Sequence, residues 1–351
     1  MPPTSPETNP HLPALERARG LDLPDGYTWA PFDLDRLEEA FTILVTCGRL
    51  TFGSDSWTLE ELRSNWTEPG VSPISDAILV RAPGGTAVGF EELYNHSSHL
   101  SLISLGNQVL PEHRGLGIED ALLRWAERRA KAECSLAPAG AQVLWRLPCE
   151  VNDRPALALA ERHGFEPVRH YFVMSRDLKS TEPPPEPIRP AGIEIRSLRR
   201  GIDEETFYRV RWEAFQDHWG VSRSFEDGFA RFLHEIGQNP DFDPRFFWGA
   251  FTDERLVAIC HCLPAYEGDS ETGWVCDLGV VRGQRGLGLG RALLLHAFGE
   301  FRRLGKKLVR LHVDAENPTG AVRLYESVGM EVTERIVTMG RHLVGAGANA
   351  F

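Results

Sequence analysis

The chain has 351 residues, 42% of them hydrophobic and 25% charged; this globular composition excludes collagen-like, coiled-coil and wholly disordered classes, and at roughly 150 residues per domain the length predicts about two domains. The 50 Asp and Glu against 38 Lys and Arg give a formal net charge of −12, which repels nucleic acids and anionic membranes unless a local basic patch overrides it. No apolar run approaches the roughly 18 residues of a membrane helix, and residues 1–10 do not resemble a signal peptide, so we expect a cytoplasmic protein without nucleic-acid or membrane partners.

The first half of the chain is predicted to form one domain, residues 1–178. Between about 27 and 178, hydrophobic periodicity predicts a strand, two helices, three strands, a helix, a strand, a helix and a strand. The loop Arg114-Gly-Leu-Gly-Ile-Glu119 connects a predicted strand to a predicted helix.

A linker is predicted at residues 179–192, where five prolines lie close together. Proline lacks the backbone donor that a sheet or helix requires and favours an extended chain, so this stretch is typical of a semi-rigid connection. It lies near the midpoint of the chain and separates the first domain from a second one, residues 193–351.

The second half has a pattern that predicts the same order of elements. Strands are predicted at 193–198, 246–252, 256–263, 274–281, 308–313 and 331–343, and helices at 203–219, 224–236, 288–304 and 319–328. Asp203 and Ser224 are predicted helix N-caps, and Gly329 is predicted to end the last helix in a left-handed conformation. Each half is therefore expected to be an α/β domain of the mixed α+β type, with a mostly antiparallel sheet flanked by helices.

Two motifs indicate that the halves are copies of one fold. Residues 109–123 align without gaps with residues 280–294, and residues 152–165 match residues 317–330. Motifs that recur in the same order and at similar separation are the signature of an internal repeat.

The six cysteines are too few for a disulfide scaffold in a chain of this length. Only Cys260 and Cys262 lie close together in sequence, with His261 between them. On a strand these two cysteines share one face and His261 points to the other, so the three cannot converge on one metal ion. We expect reduced thiols and no metal site.

The loop Arg285-Gly-Leu-Gly-Leu-Gly290 has the composition of an anion-binding site. Its glycines free the backbone, and several N–H groups at the start of the following helix can point at one anion, assisted by the helix dipole. Arg285 and Arg291 add positive charge. The spacing differs from that of a Rossmann motif or a P-loop. A pyrophosphate would fit this loop; the alternative is a turn that only tightens the connection between strand and helix.

These residues resemble the GNAT superfamily of acetyl-CoA-dependent N-acyltransferases. The loop matches the family's pattern Arg/Gln-x-x-Gly-x-Gly/Ala, and Asn317 followed by Leu324-Tyr325 and Gly329 is similar to its second motif, with Met330 in place of an aromatic residue. The order of the elements is also the family's, and the resemblance covers nearly the whole chain. The two-domain form is similar to the tandem GNAT proteins of the mycothiol synthase type.

The resemblance implies transfer of an acetyl group from acetyl-CoA to a primary amine by direct attack, in the second domain and without a metal. It implies that the fourth strand of that domain bulges, with Gly279 as a candidate position, and diverges from the fifth to admit the thioester. The implied catalytic residues are Tyr325, as donor to the leaving sulfur, and Asp277, as a candidate base. The implied coenzyme-binding residues are Leu278, Val280, Arg285, Gly286, Leu287, Gly288, Gly290, Arg291 and Asn317.

Each of these roles has a structural alternative. Tyr325 could be a core aromatic, Asn317 a helix N-cap, and Asp277 a strand carboxylate paired elsewhere. For the acceptor, the resemblance points to Glu213, Asp217 and His218, near the end of the first helix of the second domain.

The acceptor amine stays open between an amino sugar or cysteinyl amine, a drug or metabolite amine, and a protein amine. Mycothiol synthase has a glutamate where this chain places Trp274, which weakens the cysteinyl-amine alternative. The sequence predicts neither acyl chain length nor oligomeric state.

The first half lacks two of the implied functional residues. Glu119 stands where the second half has Gly290, and Ala160 stands where it has Tyr325. A carboxylate in the loop would repel a pyrophosphate, so we expect this half to be degenerate. The remaining alternative for the whole chain is a regulatory module that binds acyl-CoA without turnover; such a module would not need Tyr325.

Overall fold

The computed structural model describes residues 21–52, 57–97, 101–104, 107–134, 137, 139–179, 192–219, 224–265 and 268–344. Residues 180–191 of the predicted linker lie outside the described residues, so the boundary at 179–192 stays a prediction. The chain divides into two compact units. Unit 1 comprises Met1–Pro148, Pro155–Glu166 and Gly340–Phe351, and unit 2 comprises Cys149–Arg154 and Pro167–Met339.

Unit 1 is a mostly antiparallel sheet with helices packed against it. In chain order its elements are β1 (Thr28–Pro31), α1 (Leu37–Phe52), α2 (Leu59–Trp66), α3 (Pro73–Asp76), β2 (Ala77–Arg81), β3 (Ala87–Ser97), β4 (Ser101–Ser104), β5 (Gln108–Val109), α4 (Ile118–Cys134), β6 (Gln142–Glu150) and α5 (Arg154–Arg162). The strand order is β1-β2-β3-β4-β6, with β5 also paired to β3. The pair β4/β6 is parallel, and the other pairs along this order are antiparallel.

Unit 2 repeats this architecture and contains the second-half motifs. Its elements are β7 (Glu166–Asp177), β8 (Ile193–Ser197), α6 (Glu204–Ala214), α7 (Phe225–Gln238), β9 (Phe247–Thr252), β10 (Arg255–Leu263), β11 (Thr272–Val280), α8 (Leu289–Arg303), β12 (Leu308–Asp314), α9 (Ala321–Ser327) and β13 (Glu331–Val344). The strand order is β13-β7-β12-β11-β10-β9-β8. The mixed, mostly antiparallel sheet predicted from sequence is confirmed, and β11/β12 is its parallel pair.

Strand β7 belongs to the first half of the sequence but lies in the sheet of unit 2. It pairs antiparallel with β12 over seven residues, from Leu308 opposite Asp177 to Asp314 opposite Tyr171. Met174 and Leu178 contribute to the same hydrophobic core as Phe298 and Phe301 of α8. The sheet of unit 2 is therefore built from both halves of the sequence.

Helices α6 and α8 cover opposite faces of the sheet in unit 2. A Cβ atom at Gly279 would lie 2.9 Å from Ala214 Cβ of α6, whereas the position of Gly290 on α8 faces Leu278 and Val280. Neighbouring residues of a strand point to opposite faces, so Gly279 marks the α6 face and Leu278 the α8 face.

The predicted helix ends are mostly confirmed. Ser224 caps α7, its hydroxyl accepting the Asp227 N–H at 3.1 Å, and Gly329 has a left-handed φ of 79°. Asp203 is the N-cap residue of α6, as predicted, although its carboxylate accepts from Arg199 and not from the helix N–H groups. One helix end was wrong: the helix predicted to reach residue 219 ends at Ala214.

The carboxyl group of Glu91 on β3 lies in the interior of unit 1. Its side chain is fully buried, and neither oxygen has a hydrogen-bond partner among the described residues. Burial raises the pKa of this carboxyl to about 8, and nearby Ser104 and Asn107 offset only part of the effect. Glu91 is therefore protonated at neutral pH in the folded protein and ionised in the unfolded chain.

We expect Glu91→Gln to remove most of the fall in stability between pH 5 and pH 8, because glutamine keeps the shape of the side chain and does not titrate. The folded-state pKa exceeds the unfolded one, so the stability contributed by the protonated form is complete below about pH 4.5 and is lost as the pH rises toward 8. Denaturant unfolding at pH 5 and pH 8 measures the difference. An identical pH dependence in the two proteins would contradict the assignment.

Candidate active site

Strands β11 and β12 diverge part-way along unit 2. Their parallel ladder runs from Thr272 opposite Leu308 to Val275 opposite Leu311 and ends there, although β11 continues to Val280 and β12 to Asp314. A wedge between two strands of the sheet therefore opens beyond Val275, as the resemblance implied.

The bulge that accompanies this divergence lies at Cys276. Across β10 and β11, His261 faces Asp277 but Cys262 faces Val275, which leaves Cys276 as the extra residue. The expectation of a bulge at Gly279 was wrong. Glycine is needed there because a Cβ atom would lie 3.0 Å from Phe215 and 2.9 Å from Ala214.

The backbone groups of Leu278 and Val280 point toward the wedge. The Val281 N–H donates to Val257 O of the β10 side at 3.1 Å, and backbone directions alternate along an antiparallel strand. Leu278 and Val280 thus direct their N–H and C=O groups away from β10, to the side that β12 has left. Backbone donors in this position can bind an amide or polarise a carbonyl.

The loop after β11 leads into α8 with the geometry of an anion site. Gly286 and Gly288 both have φ of 80°, the left-handed region in which side chains are strained. Helix α8 begins at Leu289 without a side-chain cap and with no acidic residue in its first turn, so its first N–H groups are not capped by a side chain. Gly290 is buried close to Leu324, and Leu287 is exposed.

The two arginines of this loop have different environments. Arg285 Nε donates to Val280 O at 3.1 Å, and its Nη2 donates to Ala214 O at 3.0 Å. Its Nη1 pairs with Asp217 at 3.2 Å, so Arg285 fixes the loop to the end of α6. Arg291 forms no hydrogen bond or ion pair with any described residue, which leaves its guanidinium available to an anion.

Tyr325 on α9 is 7% exposed and belongs to the core cluster of unit 2. Burial raises the pKa of its phenol, and the nearby Cys260 and Asp277 add to the effect. The hydroxyl is therefore protonated at every physiological pH and is available as a donor.

Asn317 lies in the turn before α9. Its side-chain oxygen accepts the Thr319 N–H at 2.8 Å and the Thr319 hydroxyl at 2.5 Å. The helix itself is preceded by Gly320, so the alternative of Asn317 as N-cap was wrong. Its amide nitrogen is not used in these contacts.

Asp277 is held in an ion-pair network on the α6 face of the sheet. Arg211 Nε lies 2.9 Å from Asp277 Oδ2, and Arg211 also binds Glu235 of α7 at 3.1 Å. Burial alone would raise the pKa of the Asp277 carboxyl, but Arg211 and His261 outweigh it and hold the pKa below its usual value. A carboxylate stabilised in this way is a weak base.

The three residues predicted for the acceptor side differ in their surroundings. Glu213 is exposed on the last turn of α6. Asp217 is bound by Arg282 as well as Arg285, so its carboxylate is occupied. His218 packs against Phe215, with ring centroids 4.5 Å apart.

The imidazole of His218 lies within electrostatic range of Asp277 on β11 and Asp314 on β12, the two strands that diverge. Burial lowers the pKa of His218 and outweighs these carboxylates, so the ring is neutral at neutral pH.

In unit 1 the corresponding loop is filled by the protein's own carboxylate. Glu119 Oε1 accepts the N–H of Gly115 at 3.0 Å, and both Glu119 and Asp120 lie in the first turn of α4. Arg114 Nε donates to Val109 O at 2.8 Å, as Arg285 does to Val280. The conformation of the loop is therefore kept, while the Glu119 carboxylate occupies one of the N–H donors that an anion would use. The buried Ala160 has no side-chain hydrogen-bond donor.

Across the described residues, no cluster of His, Cys, Asp and Glu has the arrangement of a metal site. Cys260 and Cys262 share one face, with their sulfurs 3.6 Å apart. None of the described helices combines the length and apolar character needed to cross a bilayer.

Known proteins share this architecture and its motifs. The sequence profile of the acetyltransferase (GNAT) family matches residues 49–165 and 205–330. A mycothiol acetyltransferase of Geodermatophilus obscurus is 31% identical over 312 residues, which cover 85% of this chain and 93% of that protein. A mycothiol acetyltransferase of Frankia alni is 36% identical over 253 residues, covering 69% of this chain and 70% of that protein.

Solved structures of known acetyltransferases have the same fold as this chain. A GCN5-related N-acetyltransferase from Sphaerobacter thermophilus superposes with a TM-score of 0.73 at 31% identity, covering 92% of this chain and 97% of the other. A tandem GNAT protein from the clavulanic acid biosynthesis pathway has a TM-score of 0.66 at 16% identity, covering 90% and 98%, and supports the fold alone. With both copies of the fold matched and the wedge, glycine loop and tyrosine in place, the chain belongs to the acetyltransferase (GNAT) family and is an acetyl-CoA-dependent N-acetyltransferase.

Proposed function

We propose that the reaction takes place in the site of unit 2 and that the first half of the chain does not bind coenzyme productively. The observation that carries this assignment is the wedge beyond Val275, on a strand whose Leu278 and Val280 lie against Gly290 at the start of α8. The start of α8 has no side-chain cap, and Tyr325 is buried on the helix whose Leu324 also lies against Gly290. In unit 1, Glu119 occupies the loop and Ala160 replaces the tyrosine. The domain division at residues 179–192 is part of this proposal.

The first coenzyme-binding step uses the loop and the wedge. The N–H groups at the start of α8, with Gly286, Leu287, Gly288 and Arg291, hold the pyrophosphate, while Arg285 keeps the loop in place. Backbone groups of Leu278 and Val280 bind the pantetheine and polarise the thioester carbonyl. Asn317 offers its amide on the coenzyme side of the wedge.

The chemical step then follows from the groups around the thioester. A neutral amine attacks the carbonyl carbon, the C–N bond forms, and a general base takes the proton that the nitrogen loses. Backbone donors stabilise the negative charge on the tetrahedral oxygen. The C–S bond breaks, and the thiolate accepts a hydrogen bond from Tyr325. A free thiol has a pKa near 8.5 and the phenol's is raised, so stabilising the leaving sulfur by hydrogen bonding is favoured over complete proton transfer.

We assign the general base to His218 rather than Asp277. A general base must be unprotonated at the pH of the reaction, basic enough to take the proton, and must face the acceptor. His218 meets the first condition, because burial lowers its pKa, and it lies near both diverging strands. Asp277 is neutralised by Arg211 and therefore serves to hold α6 against β11.

The acceptor proposed here is a small-molecule primary amine, with a mycothiol-type cysteinyl amine as the first compound to test. Two relatives carry the name mycothiol acetyltransferase. Trp274 occupies the position expected of a glutamate in that group and makes an edge-to-face contact with His312, with ring centroids 4.9 Å apart. A cytoplasmic location and the absence of nucleic-acid and membrane partners remain predictions from the charge of −12.

The proposal is tested by incubating the protein with acetyl-CoA and a panel of amines that includes a cysteinyl amine, an amino sugar and a peptide. We expect amine-dependent release of the coenzyme thiol and one acetylated product, identified by mass. If calorimetry shows that acetyl-CoA binds but no amine in the panel raises thiol release above hydrolysis, the small-amine proposal is contradicted.

Comparing Arg291→Gln with Arg285→Gln separates the two roles assigned to the loop arginines. We expect Arg291→Gln to weaken coenzyme binding on the order of tenfold, because one charge-assisted contact to phosphate is lost, without a change in melting temperature. Arg285→Gln should lower the melting temperature, because Ala214 and Val280 lose their donor. Calorimetry and thermal unfolding check both; equal effects of the two substitutions would contradict the division of roles.

A further inference from the structure

Strand β7 brings a charged side chain from the first half of the sequence to the end of β12. Arg169 Nε donates to Asp314 Oδ1 at 3.0 Å, and Nη2 donates to Asp314 Oδ2 at 2.7 Å. The Asp314 side chain is only 8% exposed, so this bidentate pair is largely removed from water. Arg169 also pairs with Glu316 at 3.0 Å, one residue before Asn317.

The same guanidinium lies over the ring of Trp219, in the segment that follows α6. Its carbon Cζ lies 5.6 Å from the ring centroid of Trp219, which is within the range of a cation–π contact. Trp219 directly follows His218 in the chain. One side chain thus connects the end of β12, the turn before α9 and the segment that carries the assigned base.

We propose that Arg169 is a positioning residue of the acceptor side of the site, which sets the position and charge environment of His218. This inference rests on the proposed function, in which His218 is the base. It gives the first half of the chain a part in the reaction that its own altered loop does not suggest.

The charged groups around His218 influence its protonation. Asp314 is the strongest of the charges acting on it, followed by Asp277, and Asp217 acts in the same direction, while Arg285 opposes them. Each carboxylate has an arginine partner: Arg169 for Asp314, Arg211 for Asp277, and Arg282 and Arg285 for Asp217. Removing Arg169 leaves Asp314 unneutralised and stabilises the protonated form of His218.

The variant Arg169→Met keeps an unbranched apolar stem and removes the guanidinium with its charge and its hydrogen-bond donors. We expect the acidic limb of the kcat/KM profile for the amine to move to higher pH, with on the order of a tenfold loss near pH 6 that recovers as the pH rises. Arg169→Lys keeps a positive charge, so its acidic limb should lie between those of the wild type and Arg169→Met. The double variant Arg169→Met/Asp314→Asn should return the limb to its original position, because the uncompensated charge is removed.

Arg335→Leu is the matched control. Arg335 lies on the neighbouring strand β13 with its guanidinium 4.8 Å from the Phe172 ring, and we expect its replacement to leave the profile unchanged. A uniform loss of activity at all pH values in Arg169→Met, with the limb in place and the titration of His218 unchanged, would show a merely structural role and overturn the inference. If Arg169→Met does not fold, Arg169→Gln, which also removes the charge, is measured in its place with the same expected shift.

A direct titration of His218 by NMR, assigned with His218→Gln, separates this inference from the proposed function. A higher His218 pKa in Arg169→Met without movement of the kinetic limb would support the positioning by Arg169 and refute His218 as base. No change in the His218 titration would overturn the inference, whatever the kinetics show.

Discussion

Replacing Tyr325 by phenylalanine is expected to lower kcat about 10²- to 10⁴-fold, the range for loss of a positioned proton or hydrogen-bond donor. The hydroxyl acts only when negative charge develops on the leaving sulfur, so the affinity for acetyl-CoA should change little. Rapid mixing with a good amine acceptor, followed by quantification of free thiol, measures the chemical step directly.

Tyr27→Phe provides the control for loss of a phenol hydroxyl. Tyr27 lies in unit 1, where its hydroxyl is 2.7 Å from His113 Nδ1, and its replacement should leave turnover unchanged. Wild-type turnover in Tyr325→Phe would eliminate the donor role and return Tyr325 to a core aromatic. Calorimetry of both variants with acetyl-CoA shows whether any loss arises in binding.

Introducing the first half's residue into the second, as Gly290→Glu, is expected to lower acetyl-CoA affinity by about 10²- to 10³-fold. Glu119 shows what such a side chain does in this loop: its carboxylate turns back onto the Gly115 N–H at 3.0 Å. The same turn from position 290 would place a negative charge where the pyrophosphate binds and use one of its donors.

Gly290→Ala distinguishes charge from bulk in this experiment. A Cβ atom at position 290 would lie 3.4 Å from Leu324, at the edge of ordinary contact, so alanine should cost far less affinity than glutamate. Isothermal titration with acetyl-CoA compares the two variants. Similar losses in both would mean that space, and not the carboxylate, closes the loop of unit 1, and the explanation offered for its loss of binding would be wrong.

The features that sequence alone predicted well are local ones. The end of a strand, a glycine-rich loop and the start of a helix lie within ten residues of one another. The anion site at residues 285–291 could therefore be predicted from composition and spacing. The order of elements in the second half also followed from periodicity, whereas the first half has the short helix α3 and the two-residue strand β5 in addition to the predicted elements. The end of α6 was missed because apolar residues at helical spacing continue through Phe215 and Trp219 after the helix has stopped at Ala214.

Contacts between distant parts of the chain could not be predicted in the same way. Arg285 was expected to bind phosphate, yet it binds the carbonyl of Ala214 and the carboxylate of Asp217, about 70 residues earlier. Arg169 lies 145 residues before Asp314, on a strand assigned by sequence to another domain. Nothing in the local pattern of either arginine distinguishes an ion-paired side chain from an exposed one.

The reason for a glycine within a strand also could not be predicted from the sequence. Gly279 was interpreted as a bulge, but a glycine is also required where another backbone or side chain approaches closely. Both causes require a glycine, so the sequence alone does not distinguish them. Only the register of β10 against β11 shows that Cys276 carries the bulge and that Gly279 accommodates α6.

The placement of β7 in the sheet of unit 2 has a consequence for how the two copies of this fold can diverge. Under the proposed function the first copy does not catalyse, so its own coenzyme loop need not bind a pyrophosphate, and Glu119 and Ala160 stand there in place of a glycine and a tyrosine. The ladder with β12, by contrast, ties residues 171–177 to the site in the other copy. Under the proposed function, substitutions along residues 171–177 are therefore expected to disturb acetyl transfer in unit 2, whereas substitutions in the loop of unit 1 are not.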